Sequence, residues 1–321
     1  MEAWALTAIL TTLCIGLASC NRGKNSGERS SSSAPATPQQ NQNQPQSMQK
    51  QRQDAEHQVR PDIENERKDA QQQAEHSLDQ EAVAAIEQTR KAIDAISANK
   101  TDEALADIEQ ATGKVNVLLG RNPAKALIPV SVEVDVIDAA PQDIPTIRDI
   151  ARDAGRAMDD KDFPTARVLL YALTSEIRIR TYHLPLATYP TALKEAARLL
   201  DEKKNQDAQN VLLGALNTLV AIDKVTPLPL VLARGSINAA QEQSQKDKNA
   251  AQTLLEVAKN QLERARELGY TGKDAEYKAL NTDITNLEKQ LKGNGDVSTV
   301  FTKLKERLAA FMKRQSDRAR H

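Results

Sequence analysis

A mainly α-helical fold, built of repeated antiparallel helical hairpins with a small two-stranded β element, is predicted by three features of the sequence. Three stretches align without gaps on Ala104, Ala166 and Ala208, with small and apolar residues recurring at helical spacing. Nineteen residues after each anchor stands a proline: Pro123, Pro185 and Pro227. Between the first two anchors, Val130, Val132, Val134 and Val136 alternate with Ser131, Glu133 and Asp135, the pattern of a strand with one apolar face.

Each hairpin reads the same way. Twelve residues before the anchors stand Ala92, Ala154 and Ala196, and eight before stand Ile96, Met158 and Leu200. The segments between, "SANKTDE", "DDKDFPT" and "DEKKNQD", hold the Asn, Asp and Ser or Thr residues that turn and cap helices. Apolar residues follow four and eleven positions on: Ile108 and Val115, Leu170 and Ile177, Leu212 and Leu219. The prolines are the decisive match, since periodic leucines coincide easily, and a proline there ends the second helix or stops its continuation. The second and third anchors are 42 residues apart, within the range of helical-hairpin repeats; the first two are 62 apart, and the difference accommodates the strand.

A lone strand cannot satisfy its own backbone. The nearest partner is "SEIRIRTYHL", where Ile177 and Ile179 alternate with Glu176, Arg178 and Arg180; Glu133 and Asp135 would then face Arg178 and Arg180 across the ladder. The alternative partner is the same strand of another subunit. Beyond Arg234 the chain turns helical again, with a glycine stop at Gly269, a Gly-Asn-Gly break from Gly293 to Gly295, and a last helix burying Val300, Phe301, Leu304, Leu308 and Phe311.

The ends differ from this core. Residues 1–19 read as a lipoprotein signal peptide, with an apolar run from Ala3 to Ala18 closing on Leu17-Ala18-Ser19-Cys20, which resembles the bacterial lipobox; Cys20 is the expected lipidation site. The other reading is an ordinary signal cleaved to leave a soluble periplasmic protein. Of the two cysteines, Cys14 lies in the signal, so a lipidated Cys20 leaves none for a disulfide, catalysis or metal. Residues 20–76 are expected to be a lipidated cysteine followed by a disordered tether, since "SSSSAPATPQQNQNQPQSMQKQRQ" has little to bury; Gln51 to Gln73 is frayed helix at best. The single helical domain then spans 77–321, with hairpin repeats in 81–231 and C-terminal helices in 232–321. The expected place is the periplasm, anchored to a membrane by lipid, with Asn21 after the anchor favouring the outer membrane.

Function is less legible. Net charge is -1, which gives no electrostatic footprint for nucleic acid. No GxSxG, glycine-rich phosphate loop, HExxH or CxxC is present, and His57, His76, His183 and His321 are scattered, so no catalytic residue, metal site or cofactor is expected. The connector "TYHLPLATYP" joins hairpins two and three. Pro185 and Pro190 suit a stiff extended link, while Tyr182, His183, Leu184, Leu186 and Tyr189 form a candidate binding or oligomer surface. The alternative packs this segment, the leucines above all, on the chain's own helices or a sister subunit, and His183 is either a pH-responsive group or a hydrogen-bonded part of the connector.

"SEIRIRTYHLPLATYPTALKEAARLLDEKKNQDAQNVLLGALNTLV", with "PLPL" and "LGYTGKDAEYKAL" after it, resembles the YfdX family of exported bacterial proteins, from about Glu81 to Phe311. The resemblance implies a largely helical periplasmic protein linked to stress and acid resistance, homo-oligomeric and chaperone-like, with no catalytic site to transfer. The lipobox and long tether depart from simple periplasmic members. The combined expectation is a lipid-anchored envelope protein with a non-enzymatic binding domain, forming a homo-oligomer and taking unfolded-protein or peptide clients. A structural or assembly module and a small-molecule sensor are the alternatives.

Overall fold

The computed structural model describes residues 44–272, 274–293 and 297–318. The expected signal, the lipidation site Cys20, the tether up to residue 43 and the C-terminal His321 lie outside them. The fold is mainly α, as the sequence predicts, with a small antiparallel sheet.

The repeat is present as a helix–helix–strand unit that occurs three times. The first comprises α3 (Gln80–Ser97), α4 (Thr101–Arg121) and β1 (Leu127–Asp138); the second α5 (Ile144–Asp159), α6 (Phe163–Tyr171) and β2 (Ser175–Pro185); the third α7 (Tyr189–Asp201), α8 (Asn205–Asn217) and β3 (Val220–Pro227). Before them come α1 (Gln44–Val59) and α2 (Pro61–His76), and after them α9 (Leu228–Gln243), α10 (Lys248–Glu267), α11 (Glu276–Leu291) and α12 (Ser298–Arg318).

The backbone repeats in detail. Asn99, Lys161 and Lys203, each five residues before its anchor, are the non-glycine residues with positive φ among those described, at 58°, 60° and 61°. A left-handed residue there lets the next amide bond back onto the first helix, Lys100 N to Ala95 O, Asp162 N to Ala157 O and Lys204 N to Leu199 O, at 2.8–2.9 Å. The chain then reverses within three residues, and the anchor alanines, all buried, let the two helices approach closely. Asp79, Asp143 and Asp162 accept from backbone amides at the starts of α3, α5 and α6, each such cap contributing about 1 kcal/mol.

Two sequence expectations are corrected here. The sheet has three strands, ordered β1-β2-β3, because residues after α8 extend as β3 rather than continue the helix. Pro185 and Pro227 accordingly close strands, and only Pro123 follows a helix directly. The pairing of β1 with β2 is intramolecular and in the expected register, Glu133 opposite Arg180 and Asp135 opposite Arg178. The second difference is at the N-terminal side. Residues 44–76, expected to belong to a tether, form α1 and α2, which dock on α9, α10 and the sheet. Ala55 and Val59 are buried, and Ile63, Ala70 and Ala74 pack over Ile177 and Ile179.

The hairpins α3–α4 and α7–α8 pack on each other, α4 on α7 and α3 on α8, enclosing one core that reaches Ile128, Val130 and Leu184 at the end of the sheet. A second core lies between α9, α10, α11 and α12, around Leu230, Leu255, Leu280 and Phe301. The sheet joins them. None of the helices searched among the described residues is long and apolar enough to cross a membrane.

Candidate functional site

The strand alternation gives the sheet two unlike faces. On one, Glu133 and Asp135 of β1, Glu176, Arg178 and Arg180 of β2 and Asp223 of β3 stand in neighbouring rows. The register is as expected, but the ion pairs are made elsewhere. Arg180 forks onto Asp223 of β3 with two hydrogen bonds of 2.8 Å, and Arg178 turns back to Glu176 at 2.8 Å. Glu133 instead accepts from the Tyr182 hydroxyl at 3.1 Å. Arg180 stands directly opposite both Glu133 and Asp223, and its two-pronged bond to Asp223 suits the flat guanidinium; this holds the Asp223 carboxyl below the usual carboxylate range.

At the end of this face a polar chain runs into the interior. Tyr270, in the turn after α10, donates to Glu176 Oε2 at 3.1 Å and accepts from the Ser175 amide at 2.9 Å. Ser175 Oγ donates to Asp138 Oδ1 at 2.8 Å, and the same oxygen accepts from Arg264 Nη2 at 3.2 Å. Arg264, wholly buried, also donates to Pro141 O at 2.9 Å and Ala140 O at 2.8 Å. Burial pushes the Tyr270 phenol up and pulls the Arg264 guanidinium down, against the Asp138 charge. These bonds fasten α10 to the sheet, and one polar atom of the chain, Arg264 Nη1, is buried without a hydrogen-bond partner among the described residues.

The expected connector site is dispersed by the same packing. Leu184, Leu186 and Tyr189 are buried in the core of the two packed hairpins and present no outer surface. The reason is periodicity: in an extended connector Leu184 and Leu186 share one side, and that side faces the bundle. Tyr189 donates to Thr89 Oγ1 at 2.7 Å, and burial pushes its phenol up to about 12. Tyr182 packs half-buried at the rim of the same core. His183 is half-exposed, its Nδ1 lying 3.1 Å from Thr181 O and 3.3 Å from Val220 O. It is thus a hydrogen-bonded part of the connector.

The opposite, apolar face of the sheet is incompletely covered. Helix α2 lies over β1 and β2 and α12 over β3, leaving a cleft of about 680 Å³ between them. Ile179, Ala70, Ala74 and Met312 give it apolar walls. Asp69, Lys224 and the Glu66–Arg234 ion pair, at 2.6 Å, line it with charge of both signs. Ser316 lines it too, with a buried hydroxyl that has no hydrogen-bond partner among the described residues. Sequence reading missed this cleft because two of its walls, α2 and β3, were not expected. No group of three or more His, Cys, Asp or Glu residues able to hold a metal occurs among the described residues.

Comparison with known proteins agrees with the resemblance read from the sequence, over a shorter span. Residues 85–225, the three repeats less a few residues at either end, match the family model described as YfdX protein. A solved structure of Salmonella Typhi YfdX matches at 16% identity, covering 46% of this chain and 91% of that one, with a TM-score of 0.32. No curated protein matches the chain.

Proposed function

With a YfdX domain in residues 85–225 as the premise, we propose that this is a lipid-anchored protein of the cell envelope whose helical domain binds unfolded-protein or peptide clients without catalysis, in envelope or acid stress. The observation that supports this most directly is the cleft between α2, the sheet and α12. Its apolar floor runs beside a strand face, and its rim offers both charge signs, which suits an extended, mixed-composition segment better than one small metabolite. The lipobox-like Leu17 to Cys20 supports attachment to a membrane in the periplasm, the outer membrane being favoured by Asn21. We take the working form to be a homo-oligomer.

The test is suppression of aggregation of an unrelated unfolding protein, followed by light scattering at pH 7 and near pH 4. Suppression at equal amounts, stronger in acid and weakened by Ile179→Lys in the cleft wall, is the expected result. Absence of suppression at both pH values overturns the client-binding reading. Attachment is tested separately by Cys20→Ser, which should move the protein from the membrane fraction to the soluble one.

A further inference from the structure

The three hairpins are equivalent in backbone but not in burial. Four residues after the anchor, Ile108 is 2% exposed and Leu212 0%, while Leu170 is 52% exposed. Eight before it, Ile96 and Leu200 are 4% and 2% exposed, while Met158 is 49%. Fifteen before it, Thr89 and Leu193 are buried and Ala151 is exposed. These positions are the face by which α3–α4 and α7–α8 cover each other. In α5–α6 the same face, now Ala151, Gly155, Met158 and Leu170, has nothing on it among the described residues. Phe163, seven residues before Leu170 on the same stripe of α6, extends it and Tyr171 flanks it; with Val168, on the far side of α6, this one hairpin supplies five of the ten large hydrophobic side chains exposed among the described residues. A cluster of that kind on a soluble surface marks an interaction site.

The repeat also says what fits. In the covered pair, the first helix of each hairpin lies on the second helix of the other, α3 on α8 and α4 on α7. That is a pseudo-two-fold arrangement of like units. A true two-fold interface needs the same patch on both sides, which two copies of α5–α6 supply. Charge allows it: residues 144–171 hold five Arg or Lys and five Asp, so like meets like without net repulsion. Arg148, one turn before Ala151 on the same stripe of α5, is already paired to Glu263 and Glu267 of α10 at 3.0 and 3.1 Å, so the open part of the face begins at Ala151.

We propose that two copies of this chain associate through their α5–α6 hairpins about a two-fold axis, α5 of each against α6 of the other. This repeats between chains the packing that hairpins one and three make within a chain. Leu170 then sits over Ala151 and Gly155 of the second copy, as α4 around Ile108 lies beside Leu193 and Ala197 of α7. The inference deepens the homo-oligomer part of the proposed function and does not depend on client binding.

The experiment is light-scattering mass measurement on the full chain and two variants. Met158→Glu with Leu170→Glu places like charges on the face. Gly155→Arg blocks it at a position where an added Cβ meets nothing within 4 Å of the chain's own atoms, so its fold is kept. The expected result is a wild-type particle whose mass is halved in both variants, with unchanged circular dichroism. Equal mass in wild type and Gly155→Arg overturns the proposal, as does a monomeric wild type. A monomeric wild type whose aggregation suppression is lost in both variants would assign the face to clients instead. Unchanged mass with lost suppression would fault the interface and leave the client reading standing.

Discussion

The phenol of Tyr189 on α7 donates to the Thr89 hydroxyl on α3 at 2.7 Å, and that hydroxyl donates in turn to Ala85 O at 2.8 Å. Both side chains are buried, so the bond ties hairpin three to hairpin one inside their shared core. Tyr189→Phe should cost about 1–2 kcal/mol in urea unfolding, the worth of one buried hydrogen bond. Thr89→Val should cost a similar amount, and the double variant less than the sum.

The same tyrosine sets an alkaline limit. Its folded pKa is raised from the ordinary 10.0 to about 12 by burial, so the folded state holds the proton more tightly. That contribution is fully present below pH 10 and is lost as pH rises through 12. Tyr270 shifts in the same direction. The expected outcome is an unfolding midpoint that falls across that window and falls less steeply in Tyr189→Phe.

The repeat was legible because its marks are residues that few other positions require. Anchor alanines sit where two helices touch, and the turns all reverse through one left-handed residue. The β1–β2 register was legible for a similar reason, since slipping it by one residue would turn the valines outward. What escaped had weaker local signals. In β3, Asp223 and Lys224 are adjacent, which breaks strict alternation. In α1 and α2, a few apolar contacts from Ala55, Val59, Ile63 and Ala70 lie in a Gln-rich background whose composition resembles a tether. The burial of Leu184, Leu186 and Tyr189 depends on two hairpins distant in sequence meeting over the connector, which no single segment encodes.

The left-handed turn positions give a test of that reading. Lys161 and Lys203 adopt φ of 60° and 61°, a conformation in which a side chain crowds the following carbonyl. Lys161→Gly and Lys203→Gly should each stabilise the protein by about 0.5–1 kcal/mol. Asn99→Gly should gain less, because asparagine tolerates this region. Loss of stability in both lysine variants would mean that the side chains, not the backbone, matter at these turns.

Glu56 on α1 tests how acid acts on the N-terminal helices. Burial raises its pKa above the ordinary 4.5, opposed by the charges of Arg264, Arg60, His57 and Arg52. A carboxyl that binds its proton more tightly when folded contributes stability that is fully present below the unfolded pKa and disappears as pH rises through the folded one. Glu56→Gln should therefore raise stability at pH 7 and make little difference at pH 3, flattening the pH dependence. Urea midpoints at the two values decide it.

Gly235 on α9 marks where α2 comes closest. An added Cβ would overlap the Asp62 carboxylate and stand 3.3 Å from Val59 Cβ. Gly235→Ala improves helix propensity by up to about 1 kcal/mol, so a simple helix effect would stabilise the protein. If α1 and α2 are docked here as part of the fold, overpacking instead costs about 1–3 kcal/mol. The loss should be accompanied by faster amide exchange in α2, while α3 to α8 keep their protection. A gain in stability with unchanged exchange would show that α2 does not rest on α9, and that residues 44–76 behave as the tether their composition suggests.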